Sequence, residues 1–359
     1  MATGARQVVV ALDWTPNTNH TGFYVAKAKG FYSQRGLDVK LLGTNEKVYT
    51  GSYSGDSIAD AGQAFMTPCK QVAVGSAHFA MNSPEGAIGW NCPPFSSERP
   101  QLKVVAAVLQ QQTSAIVTLK SSGLSRPKDL DGKKYASYGA RFEGRIVQQL
   151  IKNDGGAGDY KEECPPMLGI FNSLLGGEYD ATWVFMGWEG VEAKLKGVEL
   201  NAFLLQDYQV PYSYAPCLLA DPKTLSDDPQ LVKDFLAATA EGYAFAAKNV
   251  DESARILVEG AKAQNGFDLD LAFVQASQAE LSPQYLTSDG SWGCMDPNRW
   301  KTYIEWLSQT GLLTSFRQSR SPVAGESVSL DALRAGESGD PLKPEDLPEV
   351  FTNEFLPTG

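Results

Sequence analysis

Short apolar runs alternate with segments of helical periodicity over the first two thirds of the chain. Residues 7–14, QVVVALDW, form an apolar run that enters a turn rich in proline and asparagine, which predicts a buried strand. Residues 37–42, LDVKLL, predict a second strand, and the segment between them has the spacing of an amphipathic helix that ends at Gly36. A strand, a helix and a strand in about 35 residues are typical of a right-handed parallel crossover.

The alternation continues through the middle of the chain and then gives way to helices. Past residue 220, Asp228 and Pro229 are suited to be the N-cap and the first residue of a long helix. Residues 315–350 are polar, charged and rich in glycine, serine and proline, which predicts an irregular tail. The remaining assignments are strands at 101–110, 114–120, 134–138 and 181–188 and a helix at 143–156.

This order of elements predicts an α/β fold with mostly parallel sheets. The 359 residues, 43% of them hydrophobic, exceed what one core usually holds, so two lobes are expected. We assign residues 1–112 and 217–314 to a discontinuous lobe 1, residues 113–216 to lobe 2, and residues 315–359 to a tail packed on the surface. The cleft between two hinged lobes is a favoured place for a small ligand.

Charge and composition exclude several classes of partner. A net charge of −11 repels phosphate backbones, so nucleic acid is not an expected partner. No run of about 18 apolar residues occurs, so direct membrane insertion is not expected. The start of the chain lacks the apolar stretch of a signal peptide, which predicts a cytoplasmic protein, or a periplasmic or extracellular one if the sequence is a trimmed mature form. Five widely spaced cysteines without C-x-x-C predict small buried thiols rather than a zinc or disulfide framework.

The loop after the first strand carries the densest group of polar candidates. DWTPNTNHTG, residues 13–22, offers Asp13, Asn17, Asn19 and His20 as hydrogen-bonding groups beside the flat face of Trp14. In parallel α/β sheets, ligands bind at the carboxyl ends of strands, where this loop is expected. The alternative is a helix-capping turn with a structural histidine.

Two further strand-to-helix junctions have similar character. In SYGARFEGR, residues 137–145, Gly139, Arg141 and Phe142 begin a helix whose N–H groups suit a carboxylate or phosphate, although a plain turn explains them equally. In HFAMNSPEGAIG, residues 78–89, Asn82 and Ser83 point toward the cleft or simply start a helix that Ser83 caps.

Aromatic side chains surround a single acid in WVFMGWEG, residues 183–190. Trp183, Trp188 and Glu189 are candidates for ligand contact, and so are Tyr212 and Tyr214 of VPYSYAP, which lie near the second crossing between the lobes. Only two histidines are present, which leaves little material for a catalytic triad or a metal cluster. The residues alone therefore predict a binder of a small, flat, polar molecule, with no catalytic residues and no metal.

ALDWTPNTNHTGFYVAKAKGFYSQRGLDVKLL, ATWVFMGWEGVEAKLKG and VPYSYAP together resemble the substrate-binding proteins for thiamine pyrimidine precursors such as formylaminopyrimidines. The resemblance covers residues 7–313, with a divergent insert at 45–75. It implies a type II periplasmic-binding-protein fold that closes on an aminopyrimidine, in thiamine precursor uptake or salvage, with a membrane transporter as partner if the protein is exported. It also implies that Glu189 holds the ring edge between walls drawn from Trp14, Trp183, Trp188, Tyr212 and Tyr214. The alternative for Glu189 is a helix N-terminal acid that the dipole favours.

The same superfamily includes hydroxymethylpyrimidine phosphate synthase, which implies a second candidate function. That enzyme holds pyridoxal phosphate on a lysine and sacrifices a histidine, and Asn82 and Gly86 stand at the corresponding positions. Without an amine no Schiff base forms, so a binder without a cofactor is preferred over an enzyme that uses pyridoxal phosphate. The GARFEGR loop resembles the synthase's phosphate-binding loop and leaves a phosphorylated ligand open.

Overall fold

A computed structural model describes residues 4–43, 67–95, 100–166, 169–318, 322, 324–325 and 327–357. Most of the insert expected at 45–75 lies outside these residues. The strands are β1 (Arg6–Ala11), β2 (Leu37–Leu42), β3 (Phe79–Asn82), β4 (Lys103–Ala107), β5 (Ser114–Leu119), β6 (Lys134–Ala136), β7 (Lys161–Glu163), β8 (Ala181–Phe185), β9 (Leu200–Leu204), β10 (Cys217–Ala220), β11 (Arg317–Gln318) and β12 (Ser327–Val328).

Helices fill the intervals between these strands and dominate after residue 220. They are α1 (Thr21–Ala28), α2 (Pro68–Ala73), α3 (Pro84–Trp90), α4 (Glu143–Asn153), α5 (Ile170–Leu175), α6 (Val191–Leu195), α7 (Pro222–Asp227), α8 (Pro229–Lys248), α9 (Val250–Asn265), α10 (Leu271–Leu281), α11 (Pro297–Gln309) and α12 (Leu330–Arg334). One turn of π-helix, Met186–Gly190, joins β8 to α6.

Two mixed five-stranded sheets carry the described fold. The first has the order β2-β1-β3-β10-β4 and the second the order β7-β6-β8-β5-β9. In the first sheet β10 runs antiparallel to both its neighbours, and in the second β5 does the same. The other described pairings are parallel, as in β1 with β2 and β6 with β8. The chain leaves the first sheet after β4, builds the second with β5 to β9, and returns to the first with β10. The predicted α/β class is confirmed.

Helix α1 packs against α8 at unusually short range because two glycines face each other. A Cβ added at Gly22 would lie 2.2 Å from Cδ2 of Tyr243, and one added at Gly242 would lie 2.1 Å from the Gly22 carbonyl oxygen. The predicted cap of α8 is confirmed, since the Leu231 N–H donates to Asp228 Oδ1 over 2.9 Å. This packing fixes the start of α1, and with it the loop that precedes α1.

The first predicted helix is shorter than the sequence suggested. Helix α1 ends at Ala28, where Gly30 adopts φ 76° and the Phe31 N–H donates to the Ala26 carbonyl. A left-handed glycine closes a helix at low steric cost, so Gly30 ends α1. Gly36, with φ 66°, instead ends a short 3-10 turn before β2.

The end of the tail packs on the first sheet. Val350 and Leu356 are buried, and Phe351 forms a parallel bridge with Val104 of β4. The Phe351 ring also stacks on Trp300 of α11, with 5.9 Å between ring centroids. The tail therefore covers the β4 edge of the sheet.

In the part of the chain that the structure describes, no helix is both long and apolar enough to cross a bilayer.

Candidate ligand-binding site between the lobes

The loop between β1 and α1 is held rigid by its own hydrogen bonds. The Asn17 N–H donates to Nδ1 of His20 over 3.2 Å, so that nitrogen accepts and the ring proton resides on Nε2. His20 Nε2 then donates to Asp13 Oδ1 over 2.9 Å, and the Asn19 N–H donates to Asn17 Oδ1 over 2.9 Å. His20 is fully buried, whereas Asp13 is partly exposed. The histidine thus orients Asp13, while Tyr243 fixes the loop by donating to the Asn19 carbonyl.

Trp14 contacts Tyr138 across the lobes, and Glu189 lies near enough to Tyr138 to affect its pKa. The Trp14 ring packs edge-on against Tyr138, with 5.7 Å between centroids and 77° between planes. Burial raises the pKa of Tyr138 well above its ordinary value, and the nearby charge of Glu189 raises it further. Trp14 follows β1 of the first sheet, whereas Tyr138 and Glu189 follow β6 and β8 of the second. An aromatic pair and an acid therefore lie where the two lobes face each other.

Glu189 is held by the π-helical turn that follows β8. Its Oε2 accepts the Phe185 N–H over 3.0 Å, and its own N–H also donates to the carboxylate. Burial is the largest cause that raises the pKa of Glu189 to about 7, and the charge of Glu192 adds to it, while the two N–H groups lower it. A single π-helical turn is rare and occurs often at functional sites. Glu189 is thus a preorganised acid whose two protonation states are both populated near neutral pH.

A second group of aromatic rings lines the junction beside β3. Tyr212 hydrogen-bonds the side chain of Ser83, and its ring lies 5.3 Å from Trp183 and 5.2 Å from Tyr303, measured between centroids. Ser83 also caps α3 as expected, because its Oγ accepts the Gly86 N–H over 2.9 Å. The structure therefore brings Ser83, Trp183 and Tyr212 together across the lobes.

Two predicted aromatic contacts pack on the C-terminal helices instead. Trp188 lies against Phe273 of α10, with 4.4 Å between centroids. Tyr214 is buried beneath Arg299 of α11, whose guanidinium carbon lies 4.1 Å from the ring centroid, and its hydroxyl accepts the Asp296 N–H. Trp188 and Tyr214 thus join the hinge side to α10 and α11. This packing explains their positions without contact to a ligand.

The loop before α4 is filled by carboxylates of the protein itself. Gly139 adopts φ 72°, which allows the chain to turn there. The Phe142 N–H donates to Oε1 of Glu85, which belongs to α3 of the first lobe. Glu143 accepts the Tyr138 N–H over 3.0 Å and the Tyr135 hydroxyl over 2.8 Å. The predicted anion-binding N–H groups are thus present, and their partners here are internal acids.

Arg141 joins the same loop to α3. Its Nη1 donates to the Gly89 carbonyl of α3 over 3.0 Å, and a Cβ at Gly89 would lie 3.0 Å from Arg141 Cδ. The guanidinium carbon lies 5.1 Å from the Phe142 ring centroid. The absent side chain at Gly89 therefore leaves the room that the buried arginine occupies between the lobes.

Comparison with known proteins identifies the family to which the chain belongs. The profile of the family described as NMT1/THI5 like matches residues 17–253. The chain belongs to the NMT1/THI5-like family. This NMT1/THI5-like chain is 24% identical to the formylaminopyrimidine-binding protein of Halalkalibacterium halodurans over 303 residues, which cover 84% of each chain. It is also 24% identical to the riboflavin-binding protein RibY of Chloroflexus aurantiacus, over 99% of this chain and 87% of that one.

A solved structure extends the comparison to the fold. The alkanesulfonate-binding protein SsuA from Xanthomonas axonopodis pv. citri, bound to MOPS, superposes with a TM-score of 0.59 at 13% identity, covering 91% of this chain and 100% of that one. At that identity the likeness shows the fold alone. The NMT1/THI5-like chain therefore has the two-lobed periplasmic-binding-protein fold that the sequence resemblance implied.

Pyridoxal phosphate, which the resemblance to the synthase implies, does not fit the residues of this site. Asn82 stands at the expected lysine position, and its Nδ2 donates to Cys69 Sγ over 3.1 Å. A Cβ added at Gly86, the expected histidine position, would lie 2.2 Å from Asn82 Oδ1. An amide forms no Schiff base, and the space for the histidine is filled.

Among the described residues no cluster of three or more His, Cys, Asp or Glu side chains is arranged to hold a metal ion.

Sequence reasoning missed three residues that organise the site. Tyr138 lies in the loop at residues 137–145 but is not among the predicted ligand contacts. An aromatic residue beside a turning glycine after a strand is a pattern from which such a contact can be predicted. Glu85 and Glu143 resemble ordinary acids in a first helical turn, and their partners are known only from the tertiary structure.

An open groove of about 410 Å³, lined by Val210 and Trp306 among others, contains none of the predicted site residues.

Proposed function

We propose that the chain binds a small planar aminopyrimidine between its lobes and performs no chemistry on it, in thiamine precursor uptake or salvage. The observation that carries the proposal is the contact of Trp14 with Tyr138 across the two lobes, with Glu189 near enough to raise the pKa of Tyr138. Aromatic faces bind a flat ring through offset or edge-on packing, and one acid supplies directional hydrogen bonds.

The protonation of Glu189 suits this class of ligand. An aminopyrimidine edge presents a ring nitrogen that accepts and an exocyclic amine that donates. A neutral carboxyl group offers the complementary O–H donor and C=O acceptor, and a carboxylate pairs equally with a ring protonated on that nitrogen. A pKa of about 7 allows both pairings near neutral pH.

The relatives support a flat nitrogen heterocycle and differ in its size. One is named for formylaminopyrimidine and the other for riboflavin, whose ring system is larger. We propose the smaller ring because Trp183 and Tyr212 pack on each other, with 5.3 Å between centroids, and Trp188 packs on Phe273, so fewer aromatic faces remain for an extended ring system. If the protein is exported, a membrane transporter that accepts the ligand is the expected partner.

Titration calorimetry with an aminopyrimidine alcohol, its formylamino analogue and riboflavin tests the proposal. We expect Glu189→Ala to weaken aminopyrimidine binding about tenfold or more, because it removes both oxygens that bond the ring edge, and hydrogen bonds to charged groups contribute roughly 1.5–3 kcal/mol. Glu259→Ala, an exposed change on α9, is the matched control and should leave affinity unchanged.

Two results would contradict the proposal. Equal affinities of the wild type and Glu189→Ala for the aminopyrimidine would remove the role given to Glu189, and tighter binding of riboflavin would make riboflavin the preferred ligand. A visible absorbance band that borohydride removes would instead favour the enzyme that uses pyridoxal phosphate.

A further inference from the structure

The N-terminus of α4 has the geometry of an anion site, and its N–H groups are already engaged. The N–H groups of Phe142 and Glu143 both donate to the Glu85 carboxylate, which comes from the other lobe. Glu85 is only 3% exposed, so solvent does not compete for these donors. The carboxylate of Glu85 therefore sits where an external anion would be held at a helix N-terminus.

The preceding part of the loop is filled in the same way. Oε1 of Glu143 accepts the Tyr138 N–H and the Tyr135 hydroxyl, and its Oε2 lies 3.3 Å from the Ala140 nitrogen, which donates to it. Glu143 is also 3% exposed. Two internal carboxylates thus accept from the donors at four backbone positions, 138, 140, 142 and 143.

The surroundings of this loop are acidic and closely packed. Glu143 and Glu162 both raise the pKa of Glu85, which favours its protonated form. A Cβ added at Gly144 would lie 1.9 Å from Glu162 Oε2. A phosphate placed here would have to displace the Glu85 and Glu143 carboxyl groups from the N–H groups that donate to them. Nη1 of Arg141, a cation in the same loop, donates to the Gly89 carbonyl.

We propose that the Glu85 carboxyl group acts as the internal acceptor for the N–H groups at the α4 N-terminus and makes the site select ligands without a phosphate. This inference rests on the proposed function for the identity of the ligand, but the occupation of the loop can be tested separately. Glu85 is a specificity residue that bridges the lobes, so the same contact that excludes phosphate also holds α3 against α4.

The test compares an aminopyrimidine alcohol with its phosphate monoester, and adds inorganic phosphate as an independent probe. Calorimetry on the wild type should show the alcohol binding at least tenfold tighter than the ester. Glu85→Ala, which frees the N–H groups, should narrow the ratio of the two affinities at least tenfold, whereas Glu85→Gln, which keeps an oxygen that can accept from the same N–H groups, should leave the ratio near the wild-type value. Phosphorus NMR titration should show inorganic phosphate binding to Glu85→Ala but not to the wild type or to the control Glu259→Gln, with folding checked by circular dichroism.

Each outcome either supports or overturns the inference about Glu85. A wild type that binds the ester as tightly as the alcohol overturns the inference without any variant. A folded Glu85→Ala variant with an unchanged ratio of the two affinities and no gain of inorganic phosphate binding overturns it as well. If the wild type binds neither pyrimidine, the proposed function fails, and the titration with inorganic phosphate alone tests the inference. Binding of phosphate to Glu85→Ala but not to the wild type supports the occupation of the loop by Glu85, and no binding to Glu85→Ala refutes it.

Discussion

Glu143 should make the protein less stable as the pH rises toward neutrality. Burial is the largest cause that raises its pKa from 4.5 to about 7, and the charge of Glu162 adds to it. Between these two pH values the folded protein keeps the proton that the unfolded chain has released. Stability therefore falls as the pH rises, which is opposite to the usual behaviour of a salt-bridged acid.

The size of the effect follows from the pKa. One group with a proton bound only in the folded state contributes about 1.4 kcal/mol per pH unit, so the interval from pH 4.5 to about 7 amounts to roughly 3 kcal/mol. Replacing Glu143 by glutamine removes this group and also the charge that helps to raise the pKa of Glu85 to about 8. The difference between the two proteins should therefore change with pH by at least about 1 kcal/mol per unit in this interval.

Urea unfolding of the wild type and Glu143→Gln between about pH 5 and pH 8 measures this difference. His78 acts in the opposite direction below pH 6.5, because burial lowers its pKa, but it is common to both proteins and cancels. The glutamine leaves one amide facing N–H donors, which costs about 1–3 kcal/mol independently of pH. Glu259→Gln should parallel the wild type. Parallel curves for Glu143→Gln would refute the assignment of a buried, protonated Glu143.

Two further substitutions test the packing and the contact between the lobes. Gly22→Ala should cost at least about 1–3 kcal/mol in urea unfolding, because its Cβ would overlap the Tyr243 ring, whereas Gly4→Ala meets no atom within 4 Å and should be neutral; equal stabilities would contradict the packing. Ser277→Ala removes the hydroxyl that donates to the Gly187 carbonyl across the lobes, and should increase the radius of gyration in X-ray scattering; an unchanged radius would contradict this role.

The local parts of the fold were predictable because their signals are local. Strand β2 has the predicted bounds, Leu37–Leu42, since leucine and valine alternate there with charged residues. The first helix was predicted too long because apolar spacing continues past Gly30, and a left-handed glycine is not visible in periodicity. The cap at Ser83 followed from residue type and position alone.

The site was predictable as far as strand ends indicate it. The loops after β1, β3, β6 and β8 were all singled out, because ligands lie at the carboxyl ends of parallel strands. What these residues contact across the lobes could not be predicted. The donor to Glu85 is 57 residues away along the chain, and Trp188 packs on Phe273 of a helix with no distinguishing motif. Such contacts depend on how the lobes meet, which no local pattern records.

A crystal structure of the protein grown with an aminopyrimidine alcohol would show directly whether the ligand binds at the junction of the lobes. We expect the ring in contact with the faces or edges of Trp14 and Tyr138, with the Glu189 carboxyl group hydrogen-bonded to the ring nitrogen and the exocyclic amine. We also expect Glu85 to keep its hydrogen bond from the Phe142 N–H. A ligand bound outside the junction of the two lobes, or one that leaves Glu189 without a contact, would contradict the proposed function.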